Sequence, residues 1–86
     1  MPDPPEWQFG PFVRGLKAEE RVARLRSLRT CVQLHCGPRG QAAARALHMA
    51  EDEPEAMELA AGALARLDAL DRRRVLASYQ RVSREP

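Results

Sequence analysis

Every cysteine and histidine of the chain falls between residues 31 and 48: Cys31, His35, Cys36 and His48. Cys31 and His35 are four residues apart, so on a helix both side chains could contact one metal ion. Cys36, however, points about 140° away from Cys31, and the spacing matches no familiar zinc pattern. We therefore predict no metal and no cofactor here. We expect both thiols to be reduced and semi-buried, because side chains that diverge on one helix cannot form a disulfide.

Residues typical of catalytic sites are few and poorly spaced. Before Ser83 the chain has only Ser27, Thr30 and Ser78 as serine or threonine, and none is usefully placed beside a histidine. The segment 37–40 (Gly-Pro-Arg-Gly) is too short for a phosphate loop and fits a turn between helices. The acidic segment 51–58 lacks the glycine and oxygen spacing of an EF-hand loop, so helix capping explains it. We predict a protein that is not an enzyme and has no small-molecule substrate.

Arginine supplies thirteen of the fourteen basic side chains, and its planar fork suits phosphate and carboxylate groups. Two groups are candidate contacts to phosphate or to an acidic partner: Arg21, Arg24, Arg26 and Arg29, then Arg72, Arg73 and Arg74. Residues 1–49 carry a net charge of +4 and residues 50–86 carry −2. The acidic segment 51–58 is therefore a candidate partner for either group, within one chain or between copies. A helix-turn-helix interpretation fails, because this segment would face the DNA phosphates.

Three of the four aromatic residues, Trp7, Phe9 and Phe12, lie in a proline-rich stretch at the N-terminus. Prolines there exclude a regular helix and favour extended backbone. Large aromatic side chains are costly to leave in water. We therefore predict that residues 1–15 form an extended arm in which Trp7 and Phe12 are substantially buried. They would pack either on helices of the same chain or against a partner or a second copy.

The remaining residues favour helices. Fourteen alanines and ten leucines, with no isoleucine, predict an all-α fold. We expect residues 16–86 to form a compact antiparallel bundle of about four helices, near 17–36, 41–50, 54–67 and 69–84. Gly37 and Pro38 would end the first helix and Pro54 would begin the third. Asp68 would cap the fourth, with Asp71 completing a partial capping box.

Helical periodicity also predicts which side chains face the core. The inward positions are Ala18, Val22, Leu25, Leu28, Val32 and Cys36 on the first helix, and Ala43, Ala46, Leu47 and Ala50 on the second. On the third they are Met57, Ala60, Ala61 and Leu64, and on the fourth Val75, Leu76, Tyr79 and Val82. Leu16, Ala23 and Leu34 lie on the opposite side of the first helix. Such a helix would pack against neighbours on both of its sides.

These features favour a small non-enzymatic helical protein-interaction module: an adaptor, a regulator or a self-assembling subunit. It would bind a protein partner or another copy through Trp7, Phe9, Phe12, Leu16 and Leu34. The alternative is a DNA-binding or phage-type DNA-packaging accessory protein that uses the two arginine groups. No apolar run approaches the roughly 20 residues of a membrane span, and the N-terminus does not resemble a signal peptide. We therefore expect a cytoplasmic protein without membrane contact.

Overall fold

A computed structural model describes residues 10–13 and 15–84 of the chain. Within those ranges 82% of the residues are helical and none lies in a strand, which confirms the all-α class. The α-helices are α1 (Ala18–Cys36), α2 (Gln41–Asp52), α3 (Ala56–Ala65) and α4 (Ala69–Arg84). The radius of gyration is 11.7 Å, close to the roughly 12 Å expected for a compact domain of this length.

Helical backbone forms three uninterrupted segments rather than the four separate helices predicted, because a 3-10 turn (Gly37–Gly40) joins α1 directly to α2. Gly37 has a φ of +55°, and its N–H donates to the Gln33 carbonyl. Gly40 has a different role. A Cβ atom there would lie 2.6 Å from Cys36 Cβ and 2.7 Å from Val32 Cγ1. Glycine therefore allows the start of α2 to approach the end of α1 closely.

Helix α1 packs against both α2 and α4, and α2 also packs against α3. The largest fully buried core side chains are Tyr79, Leu25, Leu28, Leu47, Val32 and Val75. The other predicted core positions found buried are Cys36, Ala43, Ala46, Ala50, Ala60 and Leu64. Val22, Met57 and Leu76 are half-buried. Most of the predicted core is thus confirmed, and its many alanines let neighbouring helices approach closely.

Three predicted core residues are exposed, so their prediction was wrong. Ala18 begins α1, and the next two residues, Glu19 and Glu20, are exposed as well. Ala61 is also exposed, whereas Ala63 on the same helix is buried. Val82 is exposed beside the exposed Arg81 near the end of α4.

The starts of α3 and α4 also differ from the predictions. Pro54 lies in a turn, in which the Ala56 N–H donates to the Glu53 carbonyl at 2.9 Å, and α3 begins only at Ala56. Asp68 caps α4 as predicted, because its Oδ2 accepts a hydrogen bond from the Leu70 N–H at 3.3 Å. Asp71 does not complete a capping box. Its carboxylate is occupied by a distant arginine, described below.

Part of the N-terminal arm packs on its own chain. Pro11 is fully buried, and Phe12 is half-buried against the core. Arg24 Nη1 donates to the Gly10 carbonyl at 3.2 Å, which ties this segment to α1. For Phe12 the structure thus shows packing on the helices of the same chain. Trp7 and Phe9 lie outside the described residues, so the prediction for Trp7 stands as a prediction.

Candidate functional site

Two arginines of the first predicted group converge on one carboxylate at the end of α2. Arg26 Nε donates to Glu51 Oε1 at 2.9 Å, and Arg29 Nη1 donates to Glu51 Oε2 at 3.0 Å. His48 Nδ1 lies against Arg29 Nη1 and 3.4 Å from Glu51 Oε2. The predicted pairing of the acidic segment 51–58 with an arginine group within one chain is therefore confirmed for Glu51.

The carboxylate of Glu51 is only 7% exposed. Burial alone would raise the pKa of Glu51, but the hydrogen bonds from Arg26 and His48 and the charges of Arg29 and Arg26 together lower it. The ionised form is the one that satisfies both guanidinium groups. Glu51 thus holds Arg26 and Arg29 in fixed positions on the surface of α1.

Other predicted arginine contacts also have partners within the chain. Arg24 Nη2 donates to Glu20 Oε1 at 2.9 Å. Arg72 Nη1 donates to the Ala65 carbonyl at 3.0 Å, just where α3 ends and its carbonyl groups lose their helical partners. Arg21 is half-buried, and its Nε has no hydrogen-bond partner in the described part of the chain. Arg72 therefore stabilises the α3–α4 turn instead of projecting freely into solvent.

Arg73 and Arg74 differ from the other members of the two groups. Both are exposed on α4, and neither forms an ion pair with any carboxylate among the residues described. They are the members of the predicted groups that stay available for an anionic partner.

Arg39 and Asp71 form an ion pair that links the 3-10 turn to α4. The sequence did not predict this contact. Arg39 Nε and Nη2 donate to Asp71 Oδ2 and Oδ1, each at 2.9 Å. Cys36 lies close to this pair. Burial raises the pKa of the Cys36 thiol, the Asp71 carboxylate raises it further, and Arg39 opposes the shift. Cys31 and Cys36 are both buried free thiols.

The cysteines and histidines do not form a larger cluster. Nowhere in residues 10–13 and 15–84 do three or more histidine, cysteine, aspartate or glutamate side chains meet as a candidate metal site. In the same ranges no helix has both the length and the apolar character needed to cross a bilayer.

A shallow groove, here called the α1–α2 groove, runs between the first two helices. It is lined by Arg29, Gln33, Gln41, Ala44, Arg45 and His48 and has a volume of about 310 Å³. A second depression shares Gln33, Gln41 and Ala44 and extends the groove over Gly37 and Pro38. The lining therefore combines a small apolar floor at Ala44 with amide, guanidinium and imidazole groups. Such groups bind and orient a ligand through hydrogen bonds.

Leu34 lies on the outer side of α1 and is not among the residues that line the groove. It follows Gln33 directly in the chain and is 73% exposed. Ala23 is also exposed on the outer side of α1, whereas Leu16 is half-buried. Among the described apolar residues proposed for partner binding, Leu34 is the one with a largely exposed side chain.

Gln41 and Arg45 were not predicted as site residues although the sequence contains a signal for them. One exposed face of α2 repeats polar residues at intervals of four, three and four: Gln41, Arg45, His48 and Asp52. The buried alanines on the other face of α2 gave the stronger pattern, so this polar stripe was not predicted. Arg39 gave no comparable signal, because its partner Asp71 is 32 residues away in the chain.

Comparison of the chain with protein-family models, with curated proteins and with solved structures finds no match.

Proposed function

We propose that this protein is a small, non-enzymatic protein-interaction module that binds its partner through the outer side of α1 and the α1–α2 groove. The observation that carries the proposal is the 73% exposure of Leu34 on the outer side of α1. An isolated exposed leucine is common on protein surfaces. Here the same helix also contributes Arg29 and Gln33 to the α1–α2 groove, so that α1 offers both apolar and hydrogen-bonding groups to a partner.

The residues of the groove support binding rather than catalysis. Gln33 and Gln41 are exposed amides, and Arg45 is an exposed guanidinium. Thr30, the hydroxyl residue nearest to them on α1, donates its Oγ1 hydrogen to the Arg26 carbonyl at 3.0 Å. These groups can recognise a surface, and none has the pairing of nucleophile and base that covalent catalysis needs. A cytoplasmic setting, in which free thiols persist, belongs to the same proposal.

Phe12 and Leu16 contribute less to the proposed interface than the sequence indicated. Both are half-buried, and Phe12 packs against the core of its own chain. Leu34 and the groove residues therefore become the main contacts in the proposal. Trp7 and Phe9 stay in it as predicted contacts outside the described residues.

DNA binding is the second candidate, and the exposure of Arg73 and Arg74 favours it. Against it, Arg24, Arg26, Arg29 and Arg72 all donate to acceptors in their own chain. A guanidinium already paired with a carboxylate contributes less to phosphate neutralisation, on which DNA affinity depends. The protein-binding proposal is therefore the stronger one.

Size-exclusion chromatography with light scattering separates the two candidates. The full chain is measured alone and with a DNA duplex, each at low and at moderate salt. We expect DNA to leave the measured mass unchanged at both salt concentrations. Where the partner is a second copy of the chain, we expect a mass above that of one chain and a smaller assembled fraction for Leu34→Ser than for the control Arg73→Ala. A monomer that binds DNA at low salt, releases it at moderate salt and loses this binding in Arg73→Ala would contradict the proposal.

A further inference from the structure

The α1–α2 groove carries an excess of positive charge. Arg29 is held in place by Glu51, through the 3.0 Å contact between Nη1 and Oε2. Arg45 is exposed and forms no ion pair with any described carboxylate. His48 lies between them along the groove. Glu51 thus pairs with Arg26 and with the groove residue Arg29, whereas the charge of Arg45 is left unmatched by any described carboxylate.

We propose that this groove binds an acidic peptide segment of the partner protein, with a carboxylate of the peptide at Arg45. The inference rests on the proposed function and specifies the chemistry of the partner. Arginine binds carboxylates through paired, charge-assisted hydrogen bonds. Arg29 is already paired with Glu51 and therefore contributes less than Arg45 to such binding.

The amides favour a peptide over other anions. Gln33 and Gln41 are exposed and line both parts of the groove. Each amide offers donors and an acceptor, which complement the N–H and C=O groups of an extended backbone. A small inorganic anion could use the guanidiniums but would leave these amides without contacts.

The surroundings of the groove disfavour a nucleic acid there. Beyond His48, α2 ends in Glu51 and Asp52, and the turn continues with Glu53 and Glu55. Asp52, Glu53 and Glu55 are exposed. A phosphodiester chain that followed α2 would meet these carboxylates within one to two helical turns, and like charges repel. A peptide with a local acidic cluster need not extend that far.

Fluorescence polarisation with the full chain tests this inference. The probe is a short labelled peptide that alternates glutamate and leucine. A matched peptide has glutamine in place of every glutamate, and a labelled single-stranded DNA serves as a second anion. We expect the acidic peptide to bind at low salt, and its affinity to exceed that of both other probes.

Two substitutions locate the binding. Arg45→Ala is expected to weaken the acidic peptide by about fivefold, the upper range for a solvent-exposed ion pair. Arg81→Ala, which changes an exposed arginine on α4 outside the groove, is expected to leave the affinity unchanged. In Arg45→Glu the preference should reverse, so that a peptide alternating lysine and leucine binds more tightly than the acidic one.

The inference is overturned if the acidic peptide does not bind at low salt, if Arg45→Ala and Arg81→Ala weaken its binding equally, or if DNA binds better than the peptide. Failure here leaves the proposed function intact when Leu34 still contacts a protein partner in the cross-linking measurement described at the end of the Discussion. Failure of both measurements rejects the proposed function as well.

Discussion

The guanidinium of Arg39 donates two parallel 2.9 Å hydrogen bonds to the carboxylate of Asp71, and so fastens the turn between α1 and α2 to α4. The two partners differ in environment: the side chain of Asp71 is 4% exposed, whereas that of Arg39 is 69% exposed. The arginine thus covers a carboxylate that would otherwise be buried without a partner. Because α1 also packs on both α2 and α4, this ion pair adds a further link between the three helices.

Removing the cation from this pair should destabilise the fold. We expect Arg39→Ala to lower the free energy of unfolding by about 2 kcal/mol, since it leaves the Asp71 carboxylate buried and unpaired. The loss should fall short of that for a fully buried pair, because water can reach the position of the exposed arginine. Urea unfolding followed by circular dichroism measures the change. Arg39→Lys, which keeps the charge but not the paired geometry, should lose less, and an unchanged Arg39→Ala protein would show that the contact contributes no stability.

Two glycines provide a matched test of close packing. We expect Gly40→Ala to destabilise the protein by about 1–3 kcal/mol, because the new methyl group would overlap Cys36 Cβ and Val32 Cγ1. In Gly62→Ala the nearest heavy atom is Arg66 Nη2 at 3.8 Å, so the methyl group fits. That change should stabilise α3 by about 0.5–1 kcal/mol. Thermal unfolding of the two variants should therefore shift in opposite directions, and equal shifts would contradict the close approach at Gly40.

The pKa of Glu51 gives the stability a pH dependence of defined sign. Because this pKa lies below its ordinary value of 4.5 in the folded protein, the stabilisation is complete above pH 4.5 and is lost as the pH falls through the lowered pKa. We expect Glu51→Gln to cost about 1–2 kcal/mol at neutral pH. The difference from the wild type should shrink as the solution is acidified below pH 4.5. Unfolding curves across this range measure it, with the exposed Glu58→Gln as control. A difference that stays constant with pH would show that ionisation of Glu51 does not stabilise the fold.

The packing of the N-terminal arm is tested at Phe12. We expect Phe12→Ala to lower the free energy of unfolding by about 1–3 kcal/mol, less than for a fully buried phenylalanine, because this side chain is half-buried. Leu34→Ala removes a large apolar side chain from the surface and should change stability by less than about 0.5 kcal/mol. Guanidinium unfolding compares the two. If Phe12→Ala unfolds like the wild type, the arm does not contribute to the core.

The sequence predicted the helices well because their signals are local. Leu25, Leu28 and Val32 recur with helical spacing, and Gly37 and Pro38 end α1 where the pattern stops. Alanine-rich helices gave a weaker signal, since an alanine such as Ala61 gains little from burial and either face of the helix can turn inward. This is why Ala63 rather than Ala61 lies in the core.

The candidate site was harder to predict because its contacts join residues far apart in the chain. Asp71 lies three residues after the cap Asp68, at a position typical of a capping box, so the sequence predicts that its carboxylate interacts within α4. Its partner Arg39 became evident only in the tertiary structure. Glu51 also reads as part of a capping segment, yet it is 25 residues from Arg26, whose guanidinium it binds. Arg45 keeps an unpaired charge because Glu51 already pairs with Arg26 and Arg29, and Asp71 with Arg39.

Site-specific photo-cross-linking tests the central claim, that the outer side of α1 and the α1–α2 groove bind a protein. A benzophenone amino acid replaces Leu34 in one full-length variant and Arg74 in a control variant, each produced in the cells that make the protein and irradiated there. The account predicts a discrete protein adduct for the Leu34 variant, suppressed by excess wild-type protein and absent from the Arg74 variant. Equal adducts at both positions, or an adduct only at position 74 that nuclease treatment removes, would contradict it.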